Sequence, residues 1–339
     1  MTSRSTKRLR AEWERHNVVL MAFPHDRTDW ARYDDWEAVT APFVHTAQAI
    51  AYYQMVYMLC RDCASIKPLF CSTTNIIFIE ADYNDTWTRD YGPLSIEEGG
   101  GKKLLNFTFD GWGGKFDATL DNRVNRLLAS KGFYGGTPLE PIDYVLEGGS
   151  IDTDGAGTIL TTASCLCHPT RNGGQSKAQI EAQLYTHLGA SRVLWLDHGR
   201  LAGDDTDGHV DMLARFVNPT TIVHVTCDNP DDEHYDALQA MAEQLRTFRT
   251  QEGKPYTLVA LPMPAPITNT AGERLPASYA NFLITNGAVV YPAYRDPKDK
   301  AVGEILRDLF PDREVIPVRA HTLIEQGGSL HCSTMQIAF

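Results

Sequence analysis

Two distant stretches of the chain follow one pattern. They are Tyr144-Val-Leu-Glu-Gly-Gly-Ser-Ile-Asp-Thr153 and Leu323-Ile-Glu-Gln-Gly-Gly-Ser-Leu-His-Cys332. In each, an apolar run meets an acid or amide, then Gly-Gly-Ser, an aliphatic residue and a polar pair. Aligned this way, Glu147 matches Gln326 and Thr153 matches Cys332. Self-similarity between distant segments is the mark of an architecture built from copies of one unit. Both Gly-Gly pairs let backbone approach closely at a centre. The expectation is a circular array of similar units.

The periodicity between these stretches is mixed. Ala41 to Ala51, Leu120 to Lys131, Lys177 to Leu188 and Asp232 to Thr247 have helical apolar spacing. Val18 to Ala22, Asn75 to Glu80, Gly157 to Thr161, Arg192 to Leu196, Met212 to Val217, Thr221 to Thr226 and Tyr256 to Leu261 read as strands. So do Phe282 to Thr285, Ala288 to Tyr291 and Val315 to Val318. The Asn286-Gly287 pair between two of these is a hairpin signal, and Asp154-Gly155 is another. Close hairpins argue against a purely parallel doubly wound sheet. Pro, Gly and Ser are spread evenly, so no linker divides residues 1–339, and one domain is expected. Met1 to Arg10 is basic without an apolar signal core, and reads as a flexible lead-in.

Composition narrows the partners. The net charge of −12 opposes binding to nucleic acid or to anionic membranes, and mildly favours a small cation. No apolar run approaches the ~18 residues that would cross a bilayer. Seven cysteines are an odd number without a disulfide framework, so a reducing, cytoplasmic setting is expected. Cys60 and Cys63 form a Cys-x-x-Cys with no second copy, and read as buried free thiols.

Reactive residues concentrate in four segments: 84–93, 146–149, 204–211 and 326–332. His209 and Asp211 are two apart and would share a side on an extended chain. An imidazole and a carboxylate facing one pocket suit acid–base work, although a solvated turn would look the same. Calcium-loop spacing fails around Gly208 and around Gly155. Cys332 could be core or nucleophile. His331 is a poor base for it, because neighbours on a strand point to opposite faces, which leaves His209 as the better placed candidate. Trp87 beside Asp90 suits a planar cation, with a ring face to stack on and a carboxylate to take paired N–H bonds. A buried Trp and an Arg89–Asp pair holding a turn is the plainer alternative.

Together these segments resemble the agmatine deiminase family, within the guanidino-group-modifying superfamily. The matching stretches are Trp87-x-Arg89-Asp90-x-Gly92-Pro93, Trp112-Gly113-Gly114-Lys115-Phe116, Glu147-Gly148-Gly149, Asp205 through Asp211, and Gly327-Gly328-x-x-His331-Cys332. Ala11-Glu12-Trp13-Glu14 and Phe23-Pro24-His25 extend the resemblance to the N-terminal side. Phe23, Ser329-Leu330 and Asp110-Gly111 depart from the family's commoner residues without removing a reactive group. The resemblance implies a five-unit pseudosymmetric α/β propeller with a central active site. It implies Cys332 as nucleophile, His209 as acid and base, Glu147 orienting His209, and Asp90 and Asp211 gripping the guanidinium. Trp87, Trp112, Asp204 and Asp205 would line the substrate.

The reaction implied is agmatine and water to N-carbamoylputrescine, a putrescine precursor, and ammonia. No metal or cofactor is expected, and a homodimer is a family-level expectation. Arginine, free or in peptides, is the nearest alternative substrate, with Arg89 and Lys115 available to clamp a carboxylate. An amidinotransferase is a further relative. An inactive ligand-binding or thiol-sensing protein on the same fold is the reading from a different class.

Overall fold

The computed structural model describes residues 7–339. Its strands, in chain order, are β1 Arg8–Leu9, β2 Val18–Ala22, β3 Met55–Cys60, β4 Ile76–Glu80, β5 Leu94–Glu98, β6 Gly101–Thr108, β7 Leu139–Val145, β8 Ile151–Thr153 and β9 Thr158–Thr162. They continue with β10 Arg192–Leu196, β11 Ala214–Asn218, β12 Thr221–Thr226, β13 Thr257–Pro262, β14 Leu283–Ile284, β15 Ala288–Ala293, β16 Glu314–Arg319 and β17 Met335–Ile337. The longer helices are α1 Trp36–Ala51, α2 Asp121–Ser130, α3 Lys177–Leu188, α4 Tyr235–Thr247 and α5 Lys298–Leu309.

Among the described residues these strands form five small, separate sheets. One local grammar builds all five. A strand turns back on an antiparallel partner, a helix crosses over, and a parallel strand follows. The units are β5-β6-α2-β7, β8-β9-α3-β10, β11-β12-α4-β13 and β14-β15-α5-β16. The fifth is split: β17 pairs antiparallel with β2, and α1 then leads to the parallel β3. β1 and β4 are additions at the edges of β5 and β3. The grammar follows from connection length, since antiparallel neighbours need only a turn while parallel ones need a crossover.

Each helix covers its sheet with an apolar stripe. In α4 the buried residues are Leu238, Met241, Ala242 and Leu245, at the spacing of one helix face. In α3 they are Ile180, Leu184 and Leu188. Helix α1 begins earlier than its apolar spacing suggested. Asp35 caps it by accepting from Ala38 N at 3.0 Å, and Pro42 is carried inside it.

Two expectations are corrected, and one hairpin is borne out with a different turn chemistry. The lead-in is not loose over its last residues: β1 pairs with β5, and Arg8 reaches both Glu14 and Glu97. Residues 1–6 of that lead-in lie outside the described residues. Cys60 and Cys63 are joined by a disulfide, because the turn from β3 into Cys63–Ile66 brings their Cα atoms to 5.5 Å. Cysteine usage therefore no longer argues for a reducing compartment. The Asn286-Gly287 hairpin forms, with Leu283 opposite Val290, but not through a positive-φ turn. Asn286 instead exchanges hydrogen bonds with the His16 backbone, and a Cβ on Gly287 would strike the Tyr53 ring at 2.3 Å. Among the described residues no helix is long and apolar enough to cross a membrane.

Gly189 ends α3 with φ +67°, and a Cβ there would lie 2.0 Å from the Lys7 carbonyl oxygen. Gly189→Ala is expected to destabilise the fold by more than about 1 kcal/mol. A urea midpoint unchanged from the parent would refute this.

Candidate active site

Each of the five units contributes to one centre from the turn just before its first strand. Asp90 comes from the short helical turn Thr88–Tyr91 before β5. Glu147 and Gly149 come from the turn before β8, and Asp211 from the 3-10 turn Val210–Met212 before β11. Asn281 lies two residues before Leu283, the first of β14, and Cys332 lies in the turn before β17. Two sequence readings are corrected here. Cys332 is on a turn, not a strand. Likewise, His209 and Asp211 converge through a 3-10 turn and not along an extended chain.

Asp90 is held from two sides. Oδ1 accepts from Gly149 N at 2.9 Å, and Oδ2 accepts from Trp112 Nε1 at 2.9 Å. Trp112 sits in an unusual turn: Gly111, Trp112, Gly113 and Gly114 all have positive φ, with Trp112 at +58°. A bulky residue in the left-handed region is strained by about 1 kcal/mol or more. Asp110 supports the turn by accepting from Gly113 N at 2.7 Å. Trp112 therefore acts through Asp90, which it orients.

Gly149 shows how tightly the groups meet. A Cβ there would lie 2.6 Å from His209 Nδ1, 2.9 Å from Asp90 Oδ1 and 3.1 Å from Asp211 Oδ2. Cys332 Sγ lies 3.6 Å from the same Asp211 oxygen and takes a hydrogen bond from Asn281 Nδ2 at 3.1 Å. Asn281 Oδ1 accepts from the backbone N of His331 at 2.9 Å. The sequence reading missed Asn281. Its signal was positional, as the counterpart of Asp90 and Asp211 in the β14 unit.

Several buried polar atoms here have no partner: both ring nitrogens of His209, Asp211 Oδ1 and Glu147 Oε2. Orphaned buried groups are costly, and their convergence marks a place where a ligand completes the bonding. Burial pushes the Cys332 thiol well up, and Asp211 and Asp90 push it the same way. Burial brings His209 down to about 4, so its ring is neutral near pH 7. Burial and the neighbouring Asp211 raise Asp90 well above the carboxylate range. For Asp211 burial acts upward too, but the hydrogen bond from His331 and the nearby charges hold it low. Free of ligand, the centre thus holds a thiol and a neutral imidazole.

Glu147 is fully buried but makes no hydrogen bond to His209. Its Oε1 accepts from Arg171 Nε at 2.8 Å. Arg171 also donates to Asp207 Oδ2 and, at 3.0 Å, to the Thr206 carbonyl, tying Glu147 to the loop that carries His209. No motif contained Arg171. Glu147, Cys165 and His209 each place a possible ligand atom within 4.8 Å of the others. The Arg171 guanidinium against Glu147 opposes a metal dication there.

The remaining sequence candidates divide. Trp87 is buried against Trp30, and its ring faces the Gly328 turn so closely that a Cβ on Gly328 would lie 2.4 Å from it. Asp205 stands over the same turn, 2.8 Å from a Cβ on Gly327. Asp204 is turned to its own loop, accepting from Thr206 N at 2.9 Å. Lys115 is paired with Asp207 at 2.9 Å and also reaches the Asp205 carbonyl. Arg89 pairs not with an aspartate but with Glu12, at 3.1 Å.

A buried thiol, a neutral histidine and carboxylates around unpaired atoms describe the cysteine-dependent class that handles a planar cation. The comparisons agree with that class. The curated agmatine deiminase of Stutzerimonas stutzeri is 34% identical over 96% of this chain and 94% of its own length. An agmatine deiminase structure from C. jejuni, solved with substrate bound, superposes with a TM-score of 0.92 at 35% identity, covering 98% of this chain and 96% of that one. The agmatine deiminase of Enterococcus faecalis superposes with a TM-score of 0.89 at 28% identity over 99% and 98%. The family model for Porphyromonas-type peptidyl-arginine deiminases matches residues 8–338, and the chain belongs to that family.

The raised thiol has a direct test. Iodoacetamide should label the exposed Cys71 readily at pH 7 and Cys332 slowly. Cys332 labelling should accelerate only at a pH beyond the range in which an ordinary thiol ionises. A Cys332 rate that plateaus below about pH 8 in the free protein would refute this.

Proposed function

We propose that the protein is an agmatine deiminase, hydrolysing agmatine to N-carbamoylputrescine and ammonia. The observation that carries this reading is the convergence of Cys332, His209, Asp90 and Asp211 on the Gly149 face, with Asp211 Oδ1 and both His209 nitrogens unpaired. We read residues 8–338 as one domain, a ring of five units closed by the β17–β2 pair, with this centre on its axis.

A guanidinium is delocalised and a poor electrophile, so it must be gripped and charge-matched before attack. Asp90 and Asp211 take its N–H groups. Its positive charge offsets the carboxylates that hold the Cys332 proton on sulfur. That proton then passes to His209. The thiolate adds to the guanidinium carbon, giving a neutral tetrahedral adduct. The His209 imidazolium protonates one amino group, and ammonia leaves as the thiouronium forms on sulfur. His209 next takes a proton from water, whose oxygen adds to the same carbon. Collapse breaks the C–S bond, the hydroxyl proton of the adduct passes to the departing thiolate, and the ureido product leaves. The proton on His209 is given up to solvent, balancing ammonia as ammonium. Asn281, donating to sulfur, stabilises the thiolate at both ends of the cycle. Glu147, held by Arg171, supplies charge near His209 when the ring is protonated.

Agmatine is favoured over arginine by the state of the two cations that could have held an α-carboxylate. Arg89 is committed to Glu12 and Gln336, and Lys115 to Asp207. For the distal amine, Asp205 and Trp87 flank one turn and offer charge and a ring face.

Ammonia release should be seen with agmatine, exceed that with arginine or an arginyl peptide, and vanish in Cys332→Ala. Turnover of agmatine that survives Cys332→Ala would sink the mechanism, and turnover of arginine alone would move the substrate. Gly149→Ala places a methyl against three of the reacting side chains. It is expected to cut kcat/KM by about 100-fold or more while circular dichroism stays native.

A further inference from the structure

Two groups stand behind Asp211 and take no part in the chemistry above. His331 Nδ1 lies 2.7 Å from Asp211 Oδ2, and His331 Nε2 lies 2.6 Å from Glu12 Oε1. His331 and Asp211 are buried, and the Glu12 side chain is 14% exposed. Two contacts this short between nitrogen and carboxylate oxygen each need a proton. With both contacts protonated, the three side chains share two protons and carry one net negative charge. Burial, Arg215 and Arg89 push the His331 proton affinity below its usual value, and Glu12 and the Asp211 hydrogen bond act against them.

The surroundings suit that charge. Glu12 also accepts from Arg89 Nη1 at 3.1 Å, from Arg215 Nη2, and from Gln336 Nε2 at 3.1 Å. Arg215 leans on Asp152 as well, at 3.5 Å. The same Asp211 Oδ2 lies 3.6 Å from Cys332 Sγ and borders the Gly149 face that His209 and Asp90 share. This Oδ2 is thus held by His331, while Oδ1 is buried and has no hydrogen-bond partner.

We propose that Glu12 and His331 are positioning residues for guanidinium binding: they clamp Asp211 by one oxygen, keep it ionised, and leave the other oxygen, buried and without a partner, to take a substrate N–H. The proposal rests on the deiminase reading given above. It makes the segment before β2, remote in sequence from every reacting group, part of the binding apparatus. A charge-assisted hydrogen bond is roughly twice as strong as a neutral one, which is what Glu12 adds by stabilising the second proton.

Agmatine binding to the Cys332→Ala protein, followed by calorimetry, separates this role from turnover. In that background His331→Gln and Glu12→Gln should each weaken binding by about tenfold or more. In the active enzyme both should raise KM more than they lower kcat. Both should also shift the acid limb of kcat/KM to higher pH, because Asp211 loses the proton-rich partner that holds it ionised. Glu12→Asp should recover part of each effect. Glu12→Gln leaves Arg89 and Arg215 short of charge and can damage folding, whereas His331→Gln leaves both guanidiniums paired. Unchanged agmatine binding and an unmoved acid limb in folded His331→Gln would overturn this role alone. No agmatine binding to Cys332→Ala itself would overturn the deiminase reading, and this role with it.

Discussion

Burying carboxylates is expensive, and this protein buries Asp90, Asp211, Glu147 and most of Glu12 close together. The rest of the structure follows from how each is held. Asp90 has only neutral donors, the Trp112 indole and the Gly149 amide, and burial with the nearby Asp211 outweighs them and keeps its proton affinity high. Glu12 is surrounded by Arg89, Arg215 and His331 and is kept well below the carboxylate range. Glu147 leans on one arginine. Asp211 is secured on one oxygen only. Four carboxyl groups in one dry region are thus pushed apart in proton affinity, Asp90 and Glu147 upward, Asp211 and Glu12 downward.

Much of this was legible in the sequence, and the reason is local. The Gly-Gly-Ser stretches mark turns where backbone must come close, so they survive as pattern. The reactive residues lie in short, dense segments, so Cys332, His209, Asp90 and Asp211 could be picked out. The helical stripes and most strands could be read because each unit buries one face. The ββαβ grammar was harder to see, since the turns before β5, β8, β11, β14 and β17 differ in length and conformation. In the β8 copy the Gly-Gly-Ser runs straight into a strand, while in the β17 copy a further turn intervenes and presents Cys332. Gln326, aligned with Glu147, points away and bonds the Asp29 carbonyl.

What escaped the sequence is what only the fold assembles. Arg171 joins Glu147 to the His209 loop from a segment with no motif of its own. Asn281 reaches the Cys332 sulfur from another unit. Glu12 crosses from the segment before β2 to His331 and Asp211. Each of these is a long-range polar contact between single residues, and no spacing announces such a contact. Cys60 and Cys63 were misread for a related reason. Whether they bond depends on how sharply the chain turns after β3, a matter of backbone path and not of composition.

The split unit has a consequence for how the protein comes to be. The strand that completes the β2 sheet is β17, and the turn leading into it bears Cys332. During synthesis the Asp90, Glu147, Asp211 and Asn281 turns emerge before it. A nascent chain can therefore assemble its carboxylates and histidine while lacking the sulfur they serve. The Cys332 sulfur arrives only with the segment that pairs with β2, so it joins the other side chains as the last of the five sheets is completed. The strand pairing that buries the thiol is also the one that makes it useful.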